Sequence, residues 1–254
     1  MRTPEDAAPP AGPAERRTAL VTGGARGIGA AISRGLLARG CNVAVGYHSS
    51  VQAVSALTGE YGAAVTGVRF DLGDCSAAHD AVDKVRARWG RLDSLVVNAS
   101  VYDAGRLDEL DPAAWWHVVE SNLRGMAQLT RAALPVLREA PDPSIVLVSS
   151  VVGLIGFAGD TAYATAKSAM TGFARSLAKE TARDGIRVNV LAPGFVETGM
   201  TAAVPEKARQ NIERATMMRR FGTAEEIARA AVFLSEDATY CTGTVLVVDG
   251  GWSL

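Results

Sequence analysis

Tyr163 and Lys167 stand four residues apart in Tyr163-Ala164-Thr165-Ala166-Lys167, a spacing that sets both side chains on one face of a helix. A tyrosine phenol titrates near pH 10 and is a reluctant acid at neutral pH. A neighbouring ammonium favours the phenolate, lowers that pKa and makes the phenol a usable proton donor. Ser149-Ser150 lie thirteen residues before Tyr163, directly after the apolar run 145–148, which reads as a strand. A hydroxyl at a strand's carboxyl end, where open α/β sheets build their sites, can hold a carbonyl. Ser150, Tyr163 and Lys167 together therefore suit addition of a hydride and a proton to C=O. Taken alone, Tyr-x-x-x-Lys describes equally well a surface tyrosine beside a salt-bridging lysine.

The elements that must position these groups alternate along the chain. Residues 18–22, 42–45, 65–70, 94–97, 145–148, 186–191 and 245–248 are short apolar runs, several of them continuous, as in strands covered by helices on both faces. Between them lie helical stretches that include 28–39, 77–89 and 113–134. Pro112 sits just inside one helix start, and Thr223 precedes Ala224-Glu225-Glu226 as an N-cap followed by first-turn acids. Seven strands alternating with helices predict an α/β, Rossmann-type, doubly wound and mostly parallel sheet with helices on both faces. No linker divides residues 17–254, so one domain is expected.

Composition narrows the partners. The 254 residues carry 26 Lys and Arg against 27 Asp and Glu, a net charge of −1, and are 48% hydrophobic. A near-neutral chain has no bulk electrostatic reason to bind nucleic acid. Cys41, Cys75 and Cys241 are too far apart for metal-ligand spacing, so neither a zinc site nor a disulfide framework is expected. The longest charge-free stretch, 144–159, is too short to span a membrane. Residues 1–16 hold four of the ten prolines and no apolar run; they read as a disordered leader without an export signal, which implies a cytoplasmic protein.

The first strand runs into Thr22-Gly23-Gly24-Ala25-Arg26-Gly27-Ile28-Gly29 and then a helix. Glycines there let backbone approach a pyrophosphate, and the helix N-terminus offers N–H donors and the positive end of its dipole. A structural glycine turn has the same look, but the strand before it and the helix after it favour a nucleotide. The second strand ends Gly46-Tyr47-His48-Ser49-Ser50 without the acid that usually takes the ribose 2′-hydroxyl of NAD. His48, Ser49 and Arg26 are suited to a 2′-phosphate, which favours NADP(H), although His48 and Arg26 read equally as solvated surface residues.

The pattern T-G-x-x-x-G-x-G with Ser150 and Tyr-x-x-x-Lys resembles the short-chain dehydrogenase/reductase family across residues 17–254. ARGIG, VSSVVG, YATAK, PGFVET, Arg220-Phe221-Gly222 and the terminal DGGW are most similar to its 3-oxoacyl-[acyl-carrier-protein] reductases. The resemblance implies an NADPH-dependent ketoreductase acting on a β-ketoacyl thioester or a polyketide-type ketone. In it Ser150 holds the carbonyl, Tyr163 gives the proton, and Lys167 holds the nicotinamide ribose. Asn122 supports a proton relay through a water. The resemblance further assigns Asp71 and Leu72 to the adenine, Asn98, Ala99 and Ser100 to the cofactor's ribose, and Pro193, Gly194, Val196 and Thr198 to the nicotinamide. It implies a homotetramer built on helices around 113–134 and 163–182 and on the terminal strand.

Two departures stand out. The family's Asn-Asn-Ala-Gly is here Val97-Asn98-Ala99-Ser100, which adds a side chain beside the cleft. Pro141 and Asp184 occupy positions where carrier-protein reductases place basic residues flanking the site, and an aspartate repels an acidic carrier unless Arg138 or Arg183 compensates. The substrate rim is expected at 101–106, 154–160 and 195–218, with Tyr102, Phe157, Met200, Met217 and Met218 either meeting substrate or packing as core. The same family includes NAD(P)-dependent alcohol and sugar dehydrogenases. A non-catalytic NADP(H)-binding regulator is the reading from another class. Sugar-nucleotide epimerases need a longer substrate domain than a chain ending at Leu254 is expected to hold.

Overall fold

The computed structural model describes residues 15–71, 73, 77–202 and 204–254; the expectations for Leu72, Cys75 and residues 1–14 of the leader lie outside them. Seven strands form one sheet: β1 Thr18–Val21, β2 Asn42–Tyr47, β3 Val65–Arg69, β4 Ser94–Val97, β5 Ser144–Val148, β6 Arg187–Pro193 and β7 Val245–Val248. Their order is β3-β2-β1-β4-β5-β6-β7, and every neighbouring pair is parallel. The chain winds outward from β1 in one direction and from β4 in the other. A crevice therefore opens between these two strands at their carboxyl ends, where this topology binds ligands.

Side-chain alternation along the strands sorts two hydrophobic layers. Leu20, Ala44, Leu95, Ile145, Leu147 and Val190 face one side, against α3 (Ala77–Trp89), α4 (Pro112–Leu137) and α6 (Thr161–Thr181). Ala19, Val21, Val43, Val45, Val146 and Leu191 face the other, against α1 (Gly27–Ala38), α2 (Val51–Tyr61) and α8 (Ala224–Val232). Burying one such leucine or valine contributes roughly 1.5–3 kcal/mol, which is why strands covered on both faces read as continuous apolar runs. Two further helices, α5 (Val152–Ile155) and α7 (Glu206–Ala215), lie outside these layers; α7 buries only Ile212.

Several boundaries moved for identifiable reasons. β6 continues through Pro193, because its last residues still pair with β7. α4 runs past Pro135, where a helix was expected to stop. The ring removes one backbone hydrogen bond, but Val136 and Leu137 are buried and hold the last turn against the core. Thr223 forms the expected cap: its hydroxyl accepts from the Glu226 N–H (3.2 Å), and its own N–H donates to the Glu226 carboxylate (2.9 Å). The fold begins at Arg17, whose guanidinium pairs with Glu236 (2.9 Å) and Asp142 (3.5 Å).

Candidate functional site

Strand ends, turns and one long helix bring most of the expected residues to the carboxyl edge of the sheet. The glycine turn leaves β1 and folds back over it. Gly23 has a positive φ of 62°, and the Gly24 N–H donates to the Gly46 carbonyl (3.0 Å). A Cβ on Gly29 would lie 2.1 Å from the Gly23 carbonyl oxygen, and one on Gly24 would lie 2.7 Å from that of Val21. Only glycine fits at either place. The turn is thus a bare backbone cradle at the start of α1, with Ala25 buried and Arg26 and Gly27 exposed, and it suits a pyrophosphate.

The Thr22 hydroxyl ties this cradle to the next loop by accepting from the N–H groups of both Asn98 and Ala99 (2.9 Å each), while Asn98 Nδ2 donates to the Thr22 carbonyl (3.1 Å). From the other side, Thr198 lies over the turn, with its Cγ2 3.5 Å from where a Gly27 Cβ would stand. The loop that carries it is fixed by Gly194 N–H to the Val248 carbonyl (3.0 Å) and by a bridge between Val196 and Gly222. Gly194 is required here, because a Cβ would sit 2.7 Å from Asp249. The Pro193 carbonyl accepts from the Val151 N–H (2.8 Å), which joins this loop to the segment carrying Ser150.

Ser150 follows β5, and its hydroxyl accepts from the Val152 N–H (3.2 Å) and draws the Tyr163 pKa down. Lys167 is fully buried, with its ammonium donating to the Val148 carbonyl (2.9 Å) and lying 5.4 Å from the centre of the Tyr163 ring. The expected electrostatics are reversed in this state. Burial pushes the Tyr163 phenol up to about 12 and lowers Lys167 to about 7. A lysine that titrates near neutrality is about half-protonated at pH 7 and holds a phenolate with less than a full positive charge. What draws the Tyr163 pKa down is hydrogen bonding from two hydroxyls, Ser100 and Ser150. Ser100, expected to shape the ribose side, also acts on the Tyr163 pKa, and its hydroxyl donates to the Val101 carbonyl (3.4 Å).

Asn122 is buried in α4, and its amide is engaged: Nδ2 donates to the Val101 and Val118 carbonyls (2.7 and 2.8 Å), and Oδ1 accepts from the Val101 N–H (3.2 Å). Both amide protons are committed, and these bonds pin the loop after β4 to α4.

His48, Ser49 and Asp71 lie at the tips of β2 and β3, exposed. β2 itself carries no acid, yet the fold supplies one, since Asp71 Oδ2 stands 3.4 Å from His48 Nε2. Pro141 and Asp184 are not beside the site of their own chain. They precede β5 and β6 at the amino edge of the sheet, whereas Ser150 follows β5 at the carboxyl edge. Arg138 pairs with Asp184 (2.7 Å), so the two charges there offset one another.

The rim residues are surface rather than core. Tyr102 is 43% exposed, Phe157 42%, and Met200, Met217 and Met218 are more exposed still. An aromatic wall stands among them: Phe195 meets Trp252 edge-on (centroids 5.0 Å), and Phe157 packs near both (5.8 and 5.9 Å). Opposite in character, Tyr102 packs edge-on against Tyr163 (5.1 Å) and donates its hydroxyl proton to Asp160 Oδ1 (3.1 Å). Asp160 was not singled out among the catalytic or cofactor residues. The available signal was its place three residues before Tyr163, on the same helical face.

Comparison with known proteins decides the family. The family profile described as Enoyl-(Acyl carrier protein) reductase matches residues 23–253. The chain belongs to this family of short-chain dehydrogenases/reductases. The chain is 39% identical to the 3-oxoacyl-[acyl-carrier-protein] reductase FabG of Escherichia coli over 238 residues, which is 93% of this chain and 97% of that protein. It is 38% identical to the acetoacetyl-CoA reductase of Shinella zoogloeoides (92% and 98% covered). It is 37% identical to the cis-4-hydroxycyclohexanecarboxylate dehydrogenase of Sinomonas cyclohexanicum (93% and 96%). As a short-chain dehydrogenase/reductase, this protein is an oxidoreductase acting on CH–OH or C=O groups. Among the described residues no helix is long and apolar enough to cross a membrane.

Proposed function

We propose that this short-chain dehydrogenase/reductase is an NADPH-dependent ketoreductase that converts a β-ketoacyl thioester or polyketide-type ketone to its alcohol. The observation that carries the reading is the gathering of Ser150, Tyr163 and Lys167 beside a glycine cradle. Gly23 to Gly29, Asn98, Ala99, Tyr163, Lys167 and the loop carrying Pro193, Gly194, Val196 and Thr198 would hold the dinucleotide, with His48, Ser49 and Asp71 toward its adenosine end. The nicotinamide, when bound, supplies the hydride. Ser150 holds the carbonyl oxygen by a hydrogen bond. Tyr163, kept protonated at neutral pH by burial, delivers its phenolic proton to that oxygen as negative charge develops there. The phenolate left behind is stabilised by the Ser100 and Ser150 hydroxyls and by protonation of Lys167, whose pKa near neutrality suits it to pass a proton. Asn122 keeps the loop after β4 closed against α4.

NADPH is favoured over NADH by the exposed Arg26 at the start of α1 and by His48 at the β2 tip. A soluble cytoplasmic homotetramer is the assembly we favour. Trp116 on α4, Tyr240 and Leu254 expose large apolar surface, as subunit contacts through that helix and the chain's end require. The deciding experiment follows NADPH oxidation with a 3-oxobutanoyl group on acyl carrier protein and on N-acetylcysteamine. Equal kcat/KM for the two forms indicates a free ketone substrate, and a large carrier advantage indicates carrier-bound chain building. No turnover with retained nucleotide binding overturns the reductase reading in favour of a binding protein.

A further inference from the structure

Beside the groups that do the chemistry, the cleft holds a carboxylate and a phenol that the reaction does not use. Asp160 opens α6 and is 94% buried, because the loop after β4 and the loop before α6 are zipped together by the Gly105 N–H to Gly159 carbonyl bond (2.8 Å). Neither loop offers its carboxylate a cation: Arg106 pairs with Asp108 and Glu109, and Lys167 is turned to the Val148 carbonyl. Its recorded partner is the Tyr102 hydroxyl. The carboxylate takes one neutral donor and no cation from these loops, and its pKa is raised by burial, only partly offset by that hydrogen bond.

Tyr102 transmits this shortage to the cleft. Its one hydroxyl proton is committed to Asp160, so Oη is left as an acceptor, strengthened by the charge behind it. The ring is 43% exposed and lies edge-on against the ring of Tyr163, 5.1 Å between centroids, which sets this acceptor's ring against the proton donor. The rim also carries the apolar wall of Phe157, Phe195 and Trp252. An unsubstituted acyl chain satisfies that wall but leaves the Tyr102–Asp160 end without a donor. We propose that Tyr102 and Asp160 form the acceptor end of the substrate site and select ketones that carry a hydrogen-bond donor, a hydroxyl or an ammonium, close to the reacting carbonyl.

This inference rests on the ketoreductase reading, and the test separates the two. The probes are 2-methylcyclohexanone, 2-hydroxycyclohexanone and 2-aminocyclohexanone, near-isosteric rings that differ in the donor beside the carbonyl, assayed as kcat/KM with NADPH. The full-length protein is expected to prefer the hydroxy or amino ring over the methyl ring by about tenfold, the range for one hydrogen bond to a charge-backed acceptor. Which of the two is preferred identifies the donor. Tyr102→Phe, which keeps the ring but removes the acceptor, and Asp160→Asn, which removes the charge behind it, bring that ratio toward one; two variants guard against a folding defect in either. A ratio near one in the unmutated protein with the methyl ring still reduced overturns the inference and leaves the reductase reading standing. Failure to reduce any ring or the 3-oxobutanoyl thioester overturns both.

Discussion

Replacing Lys167 by methionine tests the most unusual energetic feature of the site, a lysine buried without a carboxylate partner. Burial moves its pKa from 10.5 to about 7, with no other influence of comparable size. At about 1.4 kcal/mol per pH unit, holding this group in place costs the folded state up to roughly 5 kcal/mol at and below neutral pH. The sign follows from proton counts. Between pH 7 and 10.5 the unfolded chain binds the Lys167 proton and the folded chain does not, so stability rises with pH across that window. Lys167→Met removes this dependence at the loss of one hydrogen bond to the Val148 carbonyl, worth about 1 kcal/mol. The variant is therefore expected to be more stable than the unmutated protein at pH 7, by a few kcal/mol. That advantage shrinks by about 2 kcal/mol on going to pH 9. Cys41, Tyr102 and Tyr163, whose pKa values burial also raises, are present in both proteins and cancel in the difference. Urea unfolding at pH 7, 8 and 9, at one protein concentration, reads it directly. NADPH-linked ketone reduction is expected to fall by about a hundredfold or more. A difference in stability that stays constant with pH, or a variant less stable at pH 7, would refute the assignment of Lys167 as a strained, half-titrated base.

Gly29→Ala places a Cβ 2.1 Å from the Gly23 carbonyl oxygen, so the turn must open; NADPH affinity measured by fluorescence titration is expected to drop by at least tenfold while the far-ultraviolet spectrum is kept. Ser100→Ala removes one of the two hydroxyls that draw down the Tyr163 pKa, so the acid limb of the alcohol-oxidation pH profile, where the phenolate base is lost, moves to higher pH, read as log kcat/KM against pH. Arg26→Ala raises KM for NADPH about tenfold with little change for NADH, and Asp71→Asn moves the preference further toward NADPH by removing the acid beside His48; both are read from initial rates with the two cofactors. Asn122→Leu cuts the three hydrogen bonds that hold Val101 and the following loop and lowers kcat at least tenfold, with a measurable drop in Tm.

The sequence by itself determined the architecture and most of the chemical groups. Continuous apolar runs that alternate with helical stretches mark strands covered on both faces. All seven strands, the Thr223 cap and the Ser150–Tyr163–Lys167 set could accordingly be read from residue type and spacing. What spacing cannot carry is the relation between loops distant in the chain and the balance of opposing energies where they meet. Only the folded chain places Asp71 of the β3 tip against His48, and Tyr102 against Asp160 fifty-eight residues away. Only the folded chain sets Asp184 on the edge of the sheet opposite Ser150. The i, i+4 rule correctly set Lys167 beside Tyr163 but implied a charged ammonium. Its burial, with a carbonyl rather than a carboxylate as partner, lowers its pKa to about 7, because desolvation depends on everything packed around the group and not on its neighbours in sequence.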